Sequence, residues 1–365
     1  MENIIGGYFY KIFSSTNPPH QPKLPLTMAR FLDSKFIMED VHKAVFDIGP
    51  MKAPGKDGLP ALFYQRFWDT IGPSVVAACL SILHDGASME CINSTIITLI
   101  PKVQNPERIL DFCPISLCIV LYKIVAKAIS NRFRSVLDVV ISANQRAFIP
   151  GRRISDNTIV GFECLHRLKR KKRKYGSMAL KLDMSKAYDR VEWVFLEKMV
   201  LRLGFSVNWV SLLMRCVSSV SYSFNLNGQV CGNFKQSRGL RQGDPLSPYL
   251  FLICAEGLSS MINEAQARGT VTGFKCSRGG PAISHLFFAD DSLIFSKANV
   301  ANCVEVRRTL DMYSLASGQL VNFDKPVICV SPSMDVTEAH RLAALVGVKL
   351  VNCHERYLRA PLFFR

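Results

Sequence analysis

Between Ser177 and Asp183, Met178, Leu180 and Leu182 alternate with Ala179, Lys181 and Asp183, the period of two that marks a strand. A helix is expected over Val191 to Leu203, stopped by Gly204. Ser221 to Leu226 and Gln229 to Phe234 read as a hairpin turning at Asn227-Gly228. Leu246 to Glu264 predicts a long apolar helix, and His285 to Ser296 predicts two short apolar strands around Ala289-Asp290-Asp291. Upstream the pattern is more helical. Arg30 to Ile48, Ala61 to Trp68, Ser74 to His84 and Leu121 to Leu137 are expected helices, the last with basic residues on its polar side. Gly49 to Gly58 is a turn, Thr95 to Ile100 a strand ending at Pro101, and proline-rich Asn17 to Pro25 a linker or entry arm. Strands and helices mix without regular alternation, which predicts an α+β domain preceded by a helical region.

Composition sharpens this picture. At 365 residues and 48% hydrophobic content, the chain can form one large or two modest domains. A net charge of +16 and a pI near 9.4 point to a polyanionic partner, nucleic acid or an anionic membrane. No signal or amphipathic anchor is visible, and the apolar run Val75 to Leu83 is too short to span a bilayer, so no membrane partner is expected. The twelve cysteines form no CxxC pair and no Cys/His cluster. That excludes zinc spacing and predicts reduced thiols in a nuclear or cytosolic protein.

The sharpest chemical feature is Asp290-Asp291, flanked by Leu286, Phe287, Phe288, Leu293, Ile294 and Phe295. Two adjacent acids in an apolar frame repel each other and resist desolvation, which a hairpin tip eases and a divalent cation offsets. An ordinary acidic turn is the plain alternative. Asp183 ends an alternating strand, and a strand-end carboxylate facing such a tip supplies hard oxygen ligands from two directions, the arrangement two Mg²⁺ ions require. Alone, Asp183 reads first as a helix-capping or turn acid, and Asp189 as an N-cap. Arg167 to Lys174 is basic except at Leu168, either a template-neutralising or nuclear-localising patch or a solvated charge run. Arg146, Arg152 and Arg153 surround Phe148, a combination suited to phosphate pairing and base stacking on a single strand. Lys123, Lys127, Arg132 and Arg134 on one helix are further candidates for backbone contacts.

Three strings occur in series: DMSKAYD from Asp183, RQGDPLSP from Arg241 and FADD from Phe288. KAPGKDG from Lys52, LIPK ending at Lys102, PISLC from Pro114, NQRAFIPGR from Asn144 and GQLVNFDK from Gly318 accompany them. In these motifs and their order the chain resembles the reverse transcriptases of non-LTR, LINE-type retrotransposons, most closely those of plants. The resemblance implies right-hand polymerase fingers and palm, with an antiparallel palm sheet. It divides the chain into an entry segment over 1–40, mainly helical basic fingers over 41–176, a palm over 177–345, and the truncated start of a primer grip and thumb over 346–365. It implies RNA-directed DNA synthesis with an RNA template, a DNA primer, dNTPs and two Mg²⁺ ions, Mn²⁺ being the alternative. Asp183, Asp290 and Asp291 match the metal-binding triad. Tyr188 matches the aromatic gate against a 2′-hydroxyl, Gln242 and Gly243 the nucleotide-pocket loop, and Lys102 and Lys325 further nucleotide-site lysines. Arg146, Arg152, Arg153 and Arg241 match template or primer positions. Outside the motif, Tyr188 reads as a core tyrosine, Gln242-Gly243 as a β-turn and Lys325 as a solvated lysine.

Three positions depart from the pattern. Cys113 stands where the resemblance implies a triphosphate-binding arginine, and a thiol lacks the bidentate donors of guanidinium. Arg359 replaces the glycine of a YLGLP-like turn, and Pro326 follows Lys325 where serine is usual. With the chain stopping where a thumb would begin, these predict a piece of a transposon reading frame. The alternatives to an active polymerase are an impaired nucleic-acid-binding remnant and a basic scaffold.

Overall fold

The computed structural model describes residues 23–170, 176–277, 279–322 and 327–351, and the backbone of 356–357 and 360–361. Helices α1 (Leu26–Asp33) and α2 (Met38–Phe46) occupy the stretch expected as one helix. Buried Arg132 enforces the break. Its guanidinium donates to the carbonyls of Ser34 and Lys35, pairs with Asp40 at 2.6 Å, and lies 3.7 Å over the Phe36 ring. Helices α3 (Ala61–Arg66) and α4 (Trp68–His84) follow, with Pro73 inside α4 rather than ahead of it. Then come β1 (Ser94–Pro101), β2 (Phe112–Cys118), α5 (Val120–Arg134), α6 (Leu137–Val140) and α7 (Ile154–Arg170). On α5 the expected basic face is partly internal: Lys123 is buried and donates to the Ala53 carbonyl at 2.7 Å.

Strand β3 (Ser177–Leu182) and short β4 (Met184–Ser185) precede α8 (Trp193–Arg202) and α9 (Val207–Ser218). The hairpin β5 (Ser221–Leu226) and β6 (Gln229–Phe234) leads to α10 (Ser247–Ala267). A minor ladder, β7 (Phe274–Lys275) with β8 (Ala282–Ile283), comes before the hairpin β9 (His285–Phe288) and β10 (Asp291–Lys297). The chain continues through α11 (Val300–Ser317), β11 (Leu320–Val321), β12 (Val327–Val330), α12 (Val336–Val346) and β13 (Lys349–Leu350). A last pair, β14 (Arg356–Tyr357) and β15 (Ala360–Pro361), brackets the expected YLRAP turn.

Among the described residues the chain divides into two compact units, each built from two separate segments. One comprises Lys23–Leu137 and Val200–Leu250 and holds the sheet β2-β1-β5-β6. Here β1 runs antiparallel to β2 and parallel to β5. Asn227 and Gly228 both have positive φ, +52° and +85°, as a mirror-image two-residue turn requires. Its helical core gathers Phe133 of α5 against Phe205 and Trp209, with ring centroids 5.3 and 6.4 Å away.

The other unit contains Asp138–Met199 and Phe251–Arg365 and holds the sheet β13-β12-β3-β10-β9. Central β3 pairs antiparallel with both β10 and β12. Met178, Leu180 and Leu182 are fully buried on one face, where Cys303 of α11 reaches the Met178 sulfur at 3.5 Å. On the opposite face Ala179, Leu286, Leu293 and Phe295 pack with Cys164, Leu165 and Leu168 of α7. A sheet covered on both sides draws consecutive apolar residues into its middle, here Met178 to Leu180 of β3 and Leu293 to Phe295 of β10. Ten described cysteines are free thiols, whereas Cys329 is disulfide-bonded, against the expectation of reduced thiols throughout. Among the described residues no helix is long and apolar enough to cross a membrane.

Candidate active site

The β3–β10 register decides where the acids lie. Leu182 pairs with Ser292, so Asp183, one residue beyond, adjoins Asp291, one residue before. Asp291 closes the β9–β10 hairpin opposite Phe288, leaving Ala289 and Asp290 as a two-residue tip. Asp290 is exposed, and Asp183 and Asp291 are half-buried. Ala289 holds φ at +53°, a left-handed conformation that L-residues other than glycine, asparagine and aspartate rarely adopt. The backbone thus brings the three acids onto two neighbouring strand ends. Among the described residues, no three or more His, Cys, Asp or Glu side chains are gathered as a ready-made metal cage.

Tyr188 belongs to the same corner. Its ring stacks on Phe251 with centroids 4.9 Å apart and planes 13° from parallel. Burial, and secondarily the nearby charge of Asp290, push its hydroxyl up to about 12, so it stays protonated at neutral pH. The loop carrying Tyr188 is pinned from α11. Gln319, buried, donates from Nε2 to the Ala187 carbonyl at 2.7 Å, and the Ser317 carbonyl accepts from the Glu192 amide. Gly318 sits at φ +73°, where a Cβ would meet the Arg190 carbonyl oxygen at 2.4 Å. Only glycine fits this close approach. Beyond it, β11 pairs with β4, and the Asn322 amide donates to the Asp183 carbonyl at 2.8 Å. Gly318 and Gln319 therefore fix the Asp183–Tyr188 segment.

The hairpin tip is held from the opposite side by Asn144–Arg146. Gln145 bridges Phe287 in parallel fashion, with Phe287 N to Asn144 O at 2.8 Å and Arg146 N to Phe287 O at 3.0 Å. Asn157 Nδ2 adds a 2.7 Å bond to the Phe287 carbonyl. Behind these lies a buried polar chain. The Glu256 carboxylate accepts from Ser142 N at 2.9 Å, Ser142 Oγ meets Ser259 Oγ, and Ser259 Oγ meets His285 Nε2 at 2.8 Å. Ser284 Oγ takes His285 Nδ1 at 2.9 Å, so a neutral imidazole satisfies both partners. Burial pushes Glu256 up to about 7 and His285 down to about 3.

In the other unit, the RQGD segment lies against β2. The Ser116 amide donates to the Gln242 carbonyl at 3.2 Å, and Cys113 Sγ sits 3.8 Å from Gln242 Oε1. Gly243, exposed at φ +100°, would place a Cβ 3.3 Å from the Ser116 carbonyl. Arg241 is 5% exposed, pairs with Asp244 at 2.6 Å, donates to Asn93 and Thr95, and lies over the Tyr122 ring. Lys102, exposed, donates from Nζ to the Leu110 carbonyl at 3.3 Å.

Among the arginines, Arg152 spends its guanidinium on the carbonyls of Ser142, Gln145 and Ile141 and on Asp138. Arg146 is half-buried with Asp156 at 3.6 Å, while Arg153 and Phe148 are both exposed. Lys325, Pro326 and Arg359, and Lys171 to Lys174 of the basic run, lie outside the described residues. Sequence reasoning missed Gln145, Gln319 and Gly318 as site residues. All three stand in the quoted NQRAFIPGR and GQLVNFDK strings.

The family model described as reverse transcriptase (RNA-dependent DNA polymerase) matches residues 100–346. A protein of transposon TX1 from Xenopus laevis is 29% identical over 295 residues, which is 80% of this chain and 22% of that protein. The Pol polyprotein of the type-2 retrotransposable element R2DM from Drosophila melanogaster is 29% identical over 62% of this chain and 20% of its own length. An uncharacterized mitochondrial protein of Arabidopsis thaliana is 52% identical over 69 residues, 19% of this chain and 57% of that protein. The chain spans about a fifth of the TX1 and R2DM proteins that it matches. With the matched model covering residues 100–346, and with them the DMSKAYD, RQGDPLSP and FADD strings, the chain belongs to the reverse transcriptase family.

Proposed function

We propose that this chain is the polymerase part of a non-LTR retrotransposon protein, copying an RNA template into DNA from a primer 3′-hydroxyl and dNTPs. The observation that carries it is the register placing Asp183 beside Asp291 at the base of a hairpin whose two-residue tip carries Asp290. Three carboxylates on adjoining strand ends are hard oxygen donors suited to Mg²⁺, with Mn²⁺ as substitute. Asp183, Asp290 and Asp291 would hold the ions, which when bound lower the pKa of the attacking hydroxyl and neutralise the triphosphate. The chain's own residues do the positioning. Tyr188, backed by Phe251, presents a flat wall that excludes a 2′-hydroxyl. Gln242 and Gly243 offer backbone and amide groups to the nucleotide, and Lys102 and Lys325 supply positive charge to its phosphates. Arg146 and Arg153, with Phe148, hold template phosphates and bases. Arg152 and Arg241, spent on internal carbonyls and carboxylates, position those surfaces instead of touching nucleic acid. In this reading the β3-centred unit supplies the palm chemistry, and the location is nuclear or cytoplasmic.

Primer extension on poly(rA)/oligo(dT) with Mg²⁺ tests the proposal. Product from the wild type that is lost in Asp290→Asn supports it. No wild-type product, together with salt-sensitive RNA binding, identifies an impaired remnant instead.

A further inference from the structure

We propose that Gln145 is the positioning residue of the catalytic hairpin, latching the Ala289 backbone so that Asp290 and Asp291 hold one orientation. The inference rests on the polymerase reading above for its kinetic consequence, but not for its structural one.

Gln145 is 2% exposed, and its Oε1 accepts two backbone N–H groups, from Ala147 at 3.0 Å and Ala289 at 3.1 Å. Two donors on one atom fix the amide's orientation, because Nε2 cannot accept. Nε2 is left buried without a partner among the described residues. A half-satisfied buried amide is costly, and a purely structural position would do better with an apolar residue. The cost is explained by what Oε1 achieves. Ala289 is strained at φ +53° and is the first residue of a two-residue tip. A two-residue tip supported by its own ladder alone would rock and carry Asp290 with it. Gln145 ties the tip to a segment that is itself bonded to Phe287 on both sides and underpinned by Asn157. The latch acts through the backbone, so Gln145 touches no reacting atom.

Amide hydrogen exchange on the ligand-free protein, paired with primer-extension kinetics, tests this. In the wild type, Ala289 N–H should exchange markedly slower than its tip neighbour Asp290 N–H. In Gln145→Met, matched in length but without an acceptor, Ala289 exchange should rise about tenfold or more. The turnover number should fall at least about tenfold with the dNTP KM near its wild-type value. Gln145→Glu, which keeps the acceptor, should keep Ala289 protected. Equal exchange of Ala289 and Asp290 in the wild type overturns the latch, and so does unchanged Ala289 exchange in Gln145→Met. Because the wild-type comparison needs no variant to fold, a destabilised mutant leaves the claim testable. A wild type with no product but a protected Ala289 N–H defeats the polymerase reading alone.

Discussion

Single side chains in this protein are placed by backbone constraints that a sequence pattern reveals only in part. The Asp290-Asp291 pair was legible because two acids in an apolar frame are conspicuous, and Asn227-Gly228 because positive φ at both positions has few sequence solutions. The arginines were not. Arg132, Arg152 and Arg241 were expected to contact nucleic acid, yet each donates to backbone carbonyls or pairs with an aspartate of the fold. Charge alone does not say whether a guanidinium faces a phosphate or a carbonyl. Two predictions belong at this scale. Replacing Cys113, which adjoins Gln242, with arginine should lower the dNTP KM if the position faces triphosphate, and steady-state kinetics will show it. Gly318→Ala should lower the unfolding free energy by about 2 kcal/mol or more, measured by urea titration, because its Cβ meets the Arg190 carbonyl and its φ is left-handed.

Elements were legible where periodicity was clean and hidden where packing overrode it. Strand β3 and the hairpins β5–β6 and β9–β10 fell where alternation and turn residues put them. The expected single helix over Arg30 to Ile48 is two, because Arg132, about a hundred residues away, takes the carbonyls between them. Strand β2, which contains the PISLC string, was not expected, since its polar and apolar residues do not alternate cleanly. Beneath the β9–β10 hairpin, the Glu256–Ser142–Ser259–His285 chain couples stability to pH. The Glu256 carboxyl, raised to about 7 in the fold against 4.5 unfolded, contributes stability that is intact below pH 4.5 and is lost as pH rises through 7. His285, depressed to about 3 against 6.5, contributes stability present above pH 6.5 and lost as pH falls toward 3. Glu256→Gln should therefore remove the loss of stability between pH 5 and 8, which thermal unfolding across that range will read. An unaltered profile would place that titration elsewhere.

For the whole molecule, a net charge of +16 makes salt the natural probe of RNA binding. If the wild type neutralises about five phosphates on a single strand, the logarithm of its affinity should fall with log salt with a slope near −3.5, from about 0.7 per phosphate. Removing exposed Arg153 should reduce that slope by roughly one contact, while removing buried Arg241 should act through stability instead. The α+β class and the antiparallel sheet carrying the acids could be read from the chain. The division into units built from separate segments could not, because contact between distant segments leaves no periodic trace.

The most direct test of convergence is Fe²⁺-directed cleavage of the folded protein with ascorbate, in which Fe²⁺ occupies a Mg²⁺ site and cuts nearby backbone. Cuts are expected together near Asp183 and near Asp290-Asp291, both suppressed by excess Mg²⁺. Cleavage at only one of these segments, or at neither, would contradict the account.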